Sequence, residues 1–292
     1  MARGQDNIQF LGFFGLLKEA FDITTSYRKI FSQITLFLIL PICFCYFAEI
    51  NKLNFFSRHE MFSIISDVLS LLIVPLIPSL ILLIFSTSAA VHTVACIYTT
   101  KEEVTYKKVM KAVPKVWKRL LITFILNFVI FFAISVGAVL VTVLWGVTLT
   151  PTPTAIMVAV VLLIYLSGLV YLSFVCYLAN VVSVLEDLYG FEAMLKSKYL
   201  IKGNTGLCAA IFVIQNLCFL GIHLGFKVTA MGEVSLWGMI SGVLLWSMLM
   251  SLLILCGLVV QTIIYFICKS YHRENIYVEL ESLDDQLLQS TV

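Results

Sequence analysis

Charge is what this chain has least of. Asp, Glu, Lys and Arg make up 12% of its 292 residues, against about a quarter in soluble domains. Hydrophobic residues reach 61% and the mean hydropathy is +1.02, more apolar surface than a water-facing fold can hide. Catalytic signatures are missing as well. The chain holds no HExxH, no GxSxG, no P-loop and no GxGxxG, and its four histidines are scattered, so no catalytic centre, metal or cofactor is expected. Its eight cysteines show no CxxC spacing and fall almost entirely inside apolar runs, which argues against a disulfide framework or a zinc site. There is no N-x-S/T acceptor, and Lys18, Glu19, Asp22, Arg28 and Lys29 interrupt the region where a signal peptide would need an apolar core. The first membrane helix is expected to direct insertion. Nucleic acid is not an expected partner.

What is present is apolar sequence in runs of membrane length. A spanning helix needs about 20 mainly apolar residues, and six segments qualify: 30–49, 65–88, 120–143, 156–178, 207–227 and 236–268. Only helices satisfy their own backbone in lipid when a chain crosses singly, so the fold class is all-α, a polytopic transmembrane helix bundle. Three of the spans lie in runs longer than one bilayer thickness, 61–100, 155–185 and 236–269, and are expected to tilt or project. Sixteen Lys and Arg fall on one face of this topology and three on the other. The positive-inside rule therefore places both termini in the cytosol, in an endomembrane or the plasma membrane.

The segments before each helical hairpin share a plan. Residues 105–119 carry Tyr106, Val109, Met110, Val113, Val116, Trp117 and Leu120 at helical spacing, with Lys107, Lys108, Lys111, Lys115, Lys118 and Arg119 between them. This is a basic amphipathic helix and a candidate contact for anionic lipid headgroups, at about 1 kcal/mol per basic residue. Pro114 is expected to break it into an in-plane elbow and a span. The arm 1–29 repeats the pattern with Phe13, Leu16, Leu17, Ala20 and Phe21, and with Thr24, Thr25 and Ser26 as candidate caps. Residues 190–202 give a third copy, ending at Gly203, Asn204 and Thr205. The breaks near Ser26, Pro114 and Asn204 are almost evenly spaced, which suggests a three-fold repeat of elbow and hairpin around a transmembrane domain at 30–268. Copies with two spans each share one orientation, unlike inverted transporter repeats.

Polar groups within the spans are costly in lipid and carry the default functional reading. Asp67, Asn127, Gln215 and Asn216 form the candidate intramembrane polar path; His92, Asn180, His223 and Gln261 complete the set. The neutral amides have a blander role as interhelical hydrogen-bonding groups. Two GxxxG patterns, Gly221 with Gly225 and Gly238 with Gly242, are expected to pack the last hairpin. Cys268 beside Lys269 is either an acylation site or a packed thiol. The acidic tail 269–292 carries Asp284, Asp285, Leu287 and Leu288 in a dileucine-like order and ends in Ser290, Thr291 and Val292, which makes it a candidate contact for a cytosolic protein partner.

The stretch Val184-Leu185-Glu186-Asp187-Leu188-Tyr189-Gly190-Phe191-Glu192-Ala193-Met194, with Ser197, Leu200 and Gly203, resembles a segment of the membrane domain attached to some bacterial glycerophosphodiester phosphodiesterases. No hydrolase domain accompanies it here, so the resemblance implies no enzymatic activity. Over its length, and at Cys268-Lys269-Ser270-Tyr271-His272-Arg273-Glu274-Asn275-Ile276, the chain is similar to a plant family of hydrophobic six-span membrane proteins without an established function. Some members of that family are described as binding a polyadenylate-binding protein. Two functions remain open on the sequence: a non-enzymatic scaffold or organiser of lipid and protein partners in the secretory pathway, and a transporter or channel.

Overall fold

The computed structural model of the chain describes residues 12–56, 64–99, 106–148, 151–230 and 236–272. Among these the helices are α1 (Phe13–Ser26), α2 (Arg28–Ile34), α3 (Leu40–Phe56), α4 (Ile64–Thr99), α5 (Tyr106–Thr148), α6 (Pro151–Leu185), α7 (Phe191–Ile201), α8 (Thr205–Ala230) and α9 (Leu236–Tyr271), with a wide π-turn over Thr35–Ile39 between α2 and α3. Six helical segments are long and apolar enough to cross a membrane: Arg28–Ile50, Pro78–Tyr98, Val116–Leu144, Val158–Leu185, Thr205–Thr229 and Trp237–Tyr271. The second begins later than the sequence reading, which starts that span at Ile65, although both windows lie on α4.

Local chemistry explains where the helices start and stop. α1 buries Leu16, Ala20 and Ile23, an i, i+4, i+7 stripe, and ends at Tyr27 with φ −108° and ψ 31°. Thr24 and Thr25, expected as caps, lie in the last turn of α1 and donate back to the Ala20 and Phe21 carbonyls at 2.8 and 2.9 Å, the usual alternative for a helical hydroxyl. α2 has no side-chain cap. The π-turn follows from Pro41. Proline cannot donate to the carbonyl four residues back and its ring crowds it, and immediately before it the amide of Leu40 reaches the Thr35 carbonyl instead, the widened turn that relieves such a site.

The break expected at Pro114 does not occur. α5 runs for 43 residues with Pro114 inside it, a rod of about 65 Å against a hydrocarbon core of about 30 Å. The reason is packing. Val109, Val113, Val116 and Leu120 are all buried in one continuous stripe, so tertiary contacts hold both sides of the proline in one helix. At the other two expected breaks the chain does turn, at Tyr27 and at Lys202–Asn204, where Gly203 has φ 115°.

α9 is the centre of the molecule. It packs against α1, α3, α4, α6, α7 and α8, and residues 257–270 are buried on every side. Half of the α9 span window and 67% of the α4 window are buried, against 6% for α5 and 11% each for α6 and α8. The outer helices show Phe128, Phe132 and Leu144 of α5 and Leu163 and Ile164 of α6 to their surroundings, an apolar periphery that only lipid solvates without cost. Tyr98 donates to Glu19 at 3.3 Å, and His272 packs on Tyr199 with ring centroids 4.6 Å apart. The ends of α4 and α9 thus share one end of the bundle with α1 and α7.

In the two GxxxG patterns, Gly225 makes a close approach, since a Cβ there would lie 2.3 Å from the Trp246 ring, whereas Gly221 and Gly242 face open space. Gly203 is doubly constrained, because a Cβ would meet the Tyr271 ring at 2.4 Å and the positive φ also disfavours any other residue. Gly203→Ala is expected to destabilise the protein by about 1–3 kcal/mol, and Gly206→Ala, which has open space, is expected to leave it unchanged. Thermal unfolding in detergent separates the two.

Candidate functional site

The segment after α6 is held by α5. The Glu186 amide closes the last turn of α6 on the Val182 carbonyl at 2.7 Å, and the chain then turns through Gly190, whose φ of 60° and ψ of −126° suit glycine alone. The Gly190 amide donates to the Thr123 hydroxyl at 2.9 Å, which itself donates to the Arg119 carbonyl at 3.1 Å. Arg119 reaches the Glu186 carbonyl at 3.3 Å and pairs with the Asp187 carboxylate. One turn of α5 thereby fixes both the start of α7 and the direction of Glu186.

That direction is inward. Glu186 Oε1 accepts from the Tyr265 hydroxyl at 2.6 Å and from Lys269 Nζ at 3.1 Å. Lys269 Nζ also lies 3.1 Å from the Tyr265 oxygen. Both members of the ion pair are 3% exposed. Two charges leave water here, a cost of several kcal/mol each that only mutual pairing and hydrogen bonding offset. Lys269 lies in the last turn of α9, where the helix dipole favours a cation. Glu186 sits past the C-terminus of α6, where the dipole opposes an anion, and so depends on its partners. The triad joins α6 to α9 and presents no free acid or base.

A second polar node lies deeper. The Tyr177 hydroxyl on α6 is shared between Gln215 Oε1 at 2.7 Å and the Gly257 carbonyl at 2.9 Å, and Gln261 donates to the Tyr177 carbonyl. Gly257 allows this approach, because a Cβ there would meet Gln215 Nε2 at 2.0 Å. Asn127 donates to Asn180 Oδ1 at 3.4 Å between α5 and α6, and its own Oδ1 is buried without a hydrogen-bond partner among the described residues. Asn216 is exposed and bonds the Phe212 carbonyl of its own helix. The side chain of Asp67 lies outside the described residues. Asn127, Gln215 and Asn216 are therefore in three different places, two at separate helix contacts and one on the surface.

The basic residues separate in the same way. Lys107, Lys111 and Lys118 are exposed, Arg119 is engaged with Asp187, and the side chains of Lys108 and Lys115 lie outside the described residues. Beside them on the same end are exposed apolar groups: Phe14, Leu17 and Phe21 of α1, Trp117 of α5, and Phe191, Leu195 and Tyr199 of α7. Lys269, counted in sequence as a tail charge, is instead buried. Cys268 is fully buried, with its sulfur 3.9 Å from that of Cys208, the packed-thiol alternative. Among the described residues no group of His, Cys, Asp or Glu is arranged to hold a metal. The tail beyond residue 272, with its dileucine-like and terminal motifs, lies outside the described residues.

Sequence reasoning missed the Glu186–Lys269 pair. The two residues stand 83 positions apart, and that separation along the chain hides the contact. The family model described as Domain of unknown function (DUF8558) matches residues 1–67 and 57–290. No curated protein and no solved structure matches the chain.

Truncating either partner strands a buried charge. Glu186→Ala or Lys269→Ala is expected to cost about 3–5 kcal/mol, read as lost thermal stability in detergent. The double replacement Glu186→Leu with Lys269→Met is expected to recover most of it. A double variant as unstable as the single ones would show that the pair has a role other than mutual neutralisation.

Proposed function

Because this chain belongs to the DUF8558 family, whose model covers nearly all of it, we propose its role from its own geometry: a non-enzymatic multi-pass membrane protein that organises lipid and protein partners at its basic end. The observation that carries this reading is a division of labour among its polar groups. Most of those described inside the bundle are spent on one another, as in the Glu186–Tyr265–Lys269 and Tyr177–Gln215–Gly257 contacts, whereas Lys107, Lys111 and Lys118 remain exposed beside Trp117.

The elbows act as amphipathic interfacial elements. Their inner stripes bind the bundle, and outer groups such as Phe14, Phe21, Phe191 and Tyr199 enter the headgroup region, where amphipathic side chains are favoured. The uneven distribution of Lys and Arg supports a cytosolic location for both termini, in the endomembrane system or plasma membrane. The similarity to the plant six-span family and to the phosphodiesterase membrane domain, carried by 184–194 and 268–276, belongs to this proposal, as does the three-fold repeat. So does the tail as a contact for a cytosolic protein. One observation favours the alternative, a transporter or channel: the unpaired Oδ1 of Asn127 is a group that a passing solute could use.

Three measurements test these readings. An N-glycosylation acceptor inserted after Thr148 is expected to be modified in cells, and one inserted after His272 is expected to stay unmodified; the reverse result overturns the orientation. Replacing Lys107, Lys108, Lys111 and Lys115 by Gln is expected to lower enrichment of anionic lipid around the nanodisc-reconstituted protein by tenfold or more, at about 1 kcal/mol per charge. Solute flux into proteoliposomes that is abolished by Asn127→Ala would move the assignment to the transporter. Proximity labelling in the native cell identifies the partners.

A further inference from the structure

The joint between α1, α2 and the first span forms a groove against α9, with a volume of about 470 Å³, within the roughly 300–1,000 Å³ of small-molecule sites. Its lining is ordered by polarity. Thr24, Thr25, Arg28 and Ser32 are at one end, and the rest is mainly apolar, with Phe31, Leu36, Leu40, Met248, Leu252 and Leu255, while the Thr35 and Ser251 hydroxyls there donate to the Phe31 and Met248 carbonyls of their own helices.

Each hydroxyl at the polar end already donates to its own helix, Thr25 to Phe21 and Ser32 to Lys29 among them. Arg28 differs. It is exposed, and among the described residues no acid pairs with it. It offers the planar fork of N–H donors that matches a phosphate.

The length of the groove is informative. Arg28 marks the boundary where the apolar window begins, and from Arg28 to Leu40 the helix advances about 18 Å, close to the depth of one leaflet, about 15 Å. Over that depth Leu36 and Leu252 are more than half exposed, and the π-turn at Thr35–Ile39 widens the helix at the groove wall. π-turns of this kind recur at functional sites.

A second groove repeats the arrangement at the α7–α8 joint. There Lys198, Lys202 and Thr205 rim an apolar wall that includes Val175, Leu195 and Ile201. A cationic rim over a one-leaflet apolar trough is complementary to one molecular class, an anion carried on an acyl chain.

We propose that the groove at Arg28 binds a single glycerophospholipid, its phosphate on the Arg28 guanidinium and one acyl chain between Leu36, Leu40, Met248 and Leu252. The site is discrete, and it is independent of the diffuse attraction proposed for the lysines at 107–118.

The test uses the full chain in phosphatidylcholine nanodiscs doped with a phosphatidic acid that carries a photoactivatable diazirine in its acyl chain. Cross-links are mapped by peptide mass spectrometry. Labelling is expected on 36–40 and 248–255, to fall about tenfold in Arg28→Gln, the loss of one charge-assisted contact, and to fall likewise in Leu252→Trp, which fills the trough. Leu36→Trp fills it from the other wall and serves if Leu252→Trp does not fold. The Lys107, Lys108, Lys111 and Lys115 to Gln variant is expected to keep this labelling, so failure of the elbow reading is distinguishable from failure of this one. Cross-links distributed evenly over the outer faces of α5 and α6, or equal labelling of the groove by a photoactivatable fatty alcohol of the same chain length, would overturn the proposal.

Discussion

A buried carboxylate at the end of one helix and a buried ammonium at the end of another set the terms for the rest of this bundle. Glu186 and Lys269 are both withdrawn from water, and neither tolerates that alone. Their meeting requires α9 to be surrounded over its last fourteen or so residues, which is what the buried run 257–270 records. It also requires the chain after α6 to turn at Gly190 rather than continue, and α5 to supply Thr123 and Arg119 to hold that turn. The pair thus explains why one end of the bundle is tightly organised. α1 and α7 gather there against the post that α9 provides, and α5 packs on α7.

Away from that end the constraint comes from the solvent. Lipid tails are as apolar as leucine, so burial of leucine between helices gains little, and close contact and hydrogen bonding hold the spans instead. The structure uses both. Gly225 admits the Trp246 ring, whose indole donates to Thr229 at 3.1 Å, and Gly257 admits Gln215 to the Tyr177 node. Elsewhere α5, α6 and α8 turn large apolar side chains outward, an arrangement that would aggregate in water and is at rest in a bilayer.

Much of this was legible in the sequence. Six apolar runs and their helical state follow from length and hydropathy alone, because the bilayer leaves the backbone few choices. The turn near Asn204 was legible from Gly203, Asn204 and Thr205, and the one near Ser26 from a run of hydroxyl residues. What failed was local reasoning applied where tertiary contact decides. Pro114 has the chemistry of a break, yet a buried valine stripe on either side of it keeps α5 whole. Thr24 and Thr25 have the chemistry of caps, but they fall on the wrong side of the helix end. The polar residues were found as a class and not as contacts, because Gln215, Tyr177 and Gly257 lie on three helices and no local pattern relates them. Lys269 misled for the same reason. At the edge of an apolar run it counts as a loop charge, and only its partner 83 positions away makes it an interior one.

That separation has a meaning for biosynthesis. A ribosome releases Glu186 well before Lys269, so for the interval in which α7, α8 and α9 are made the carboxylate has no counter-ion. Until α9 is in place the Glu186 carboxylate is left to water, and it becomes an interior group only when α9 covers it. The pair is therefore among the last contacts of the described bundle that synthesis makes possible, because its second member is the third residue from the end of the final described helix.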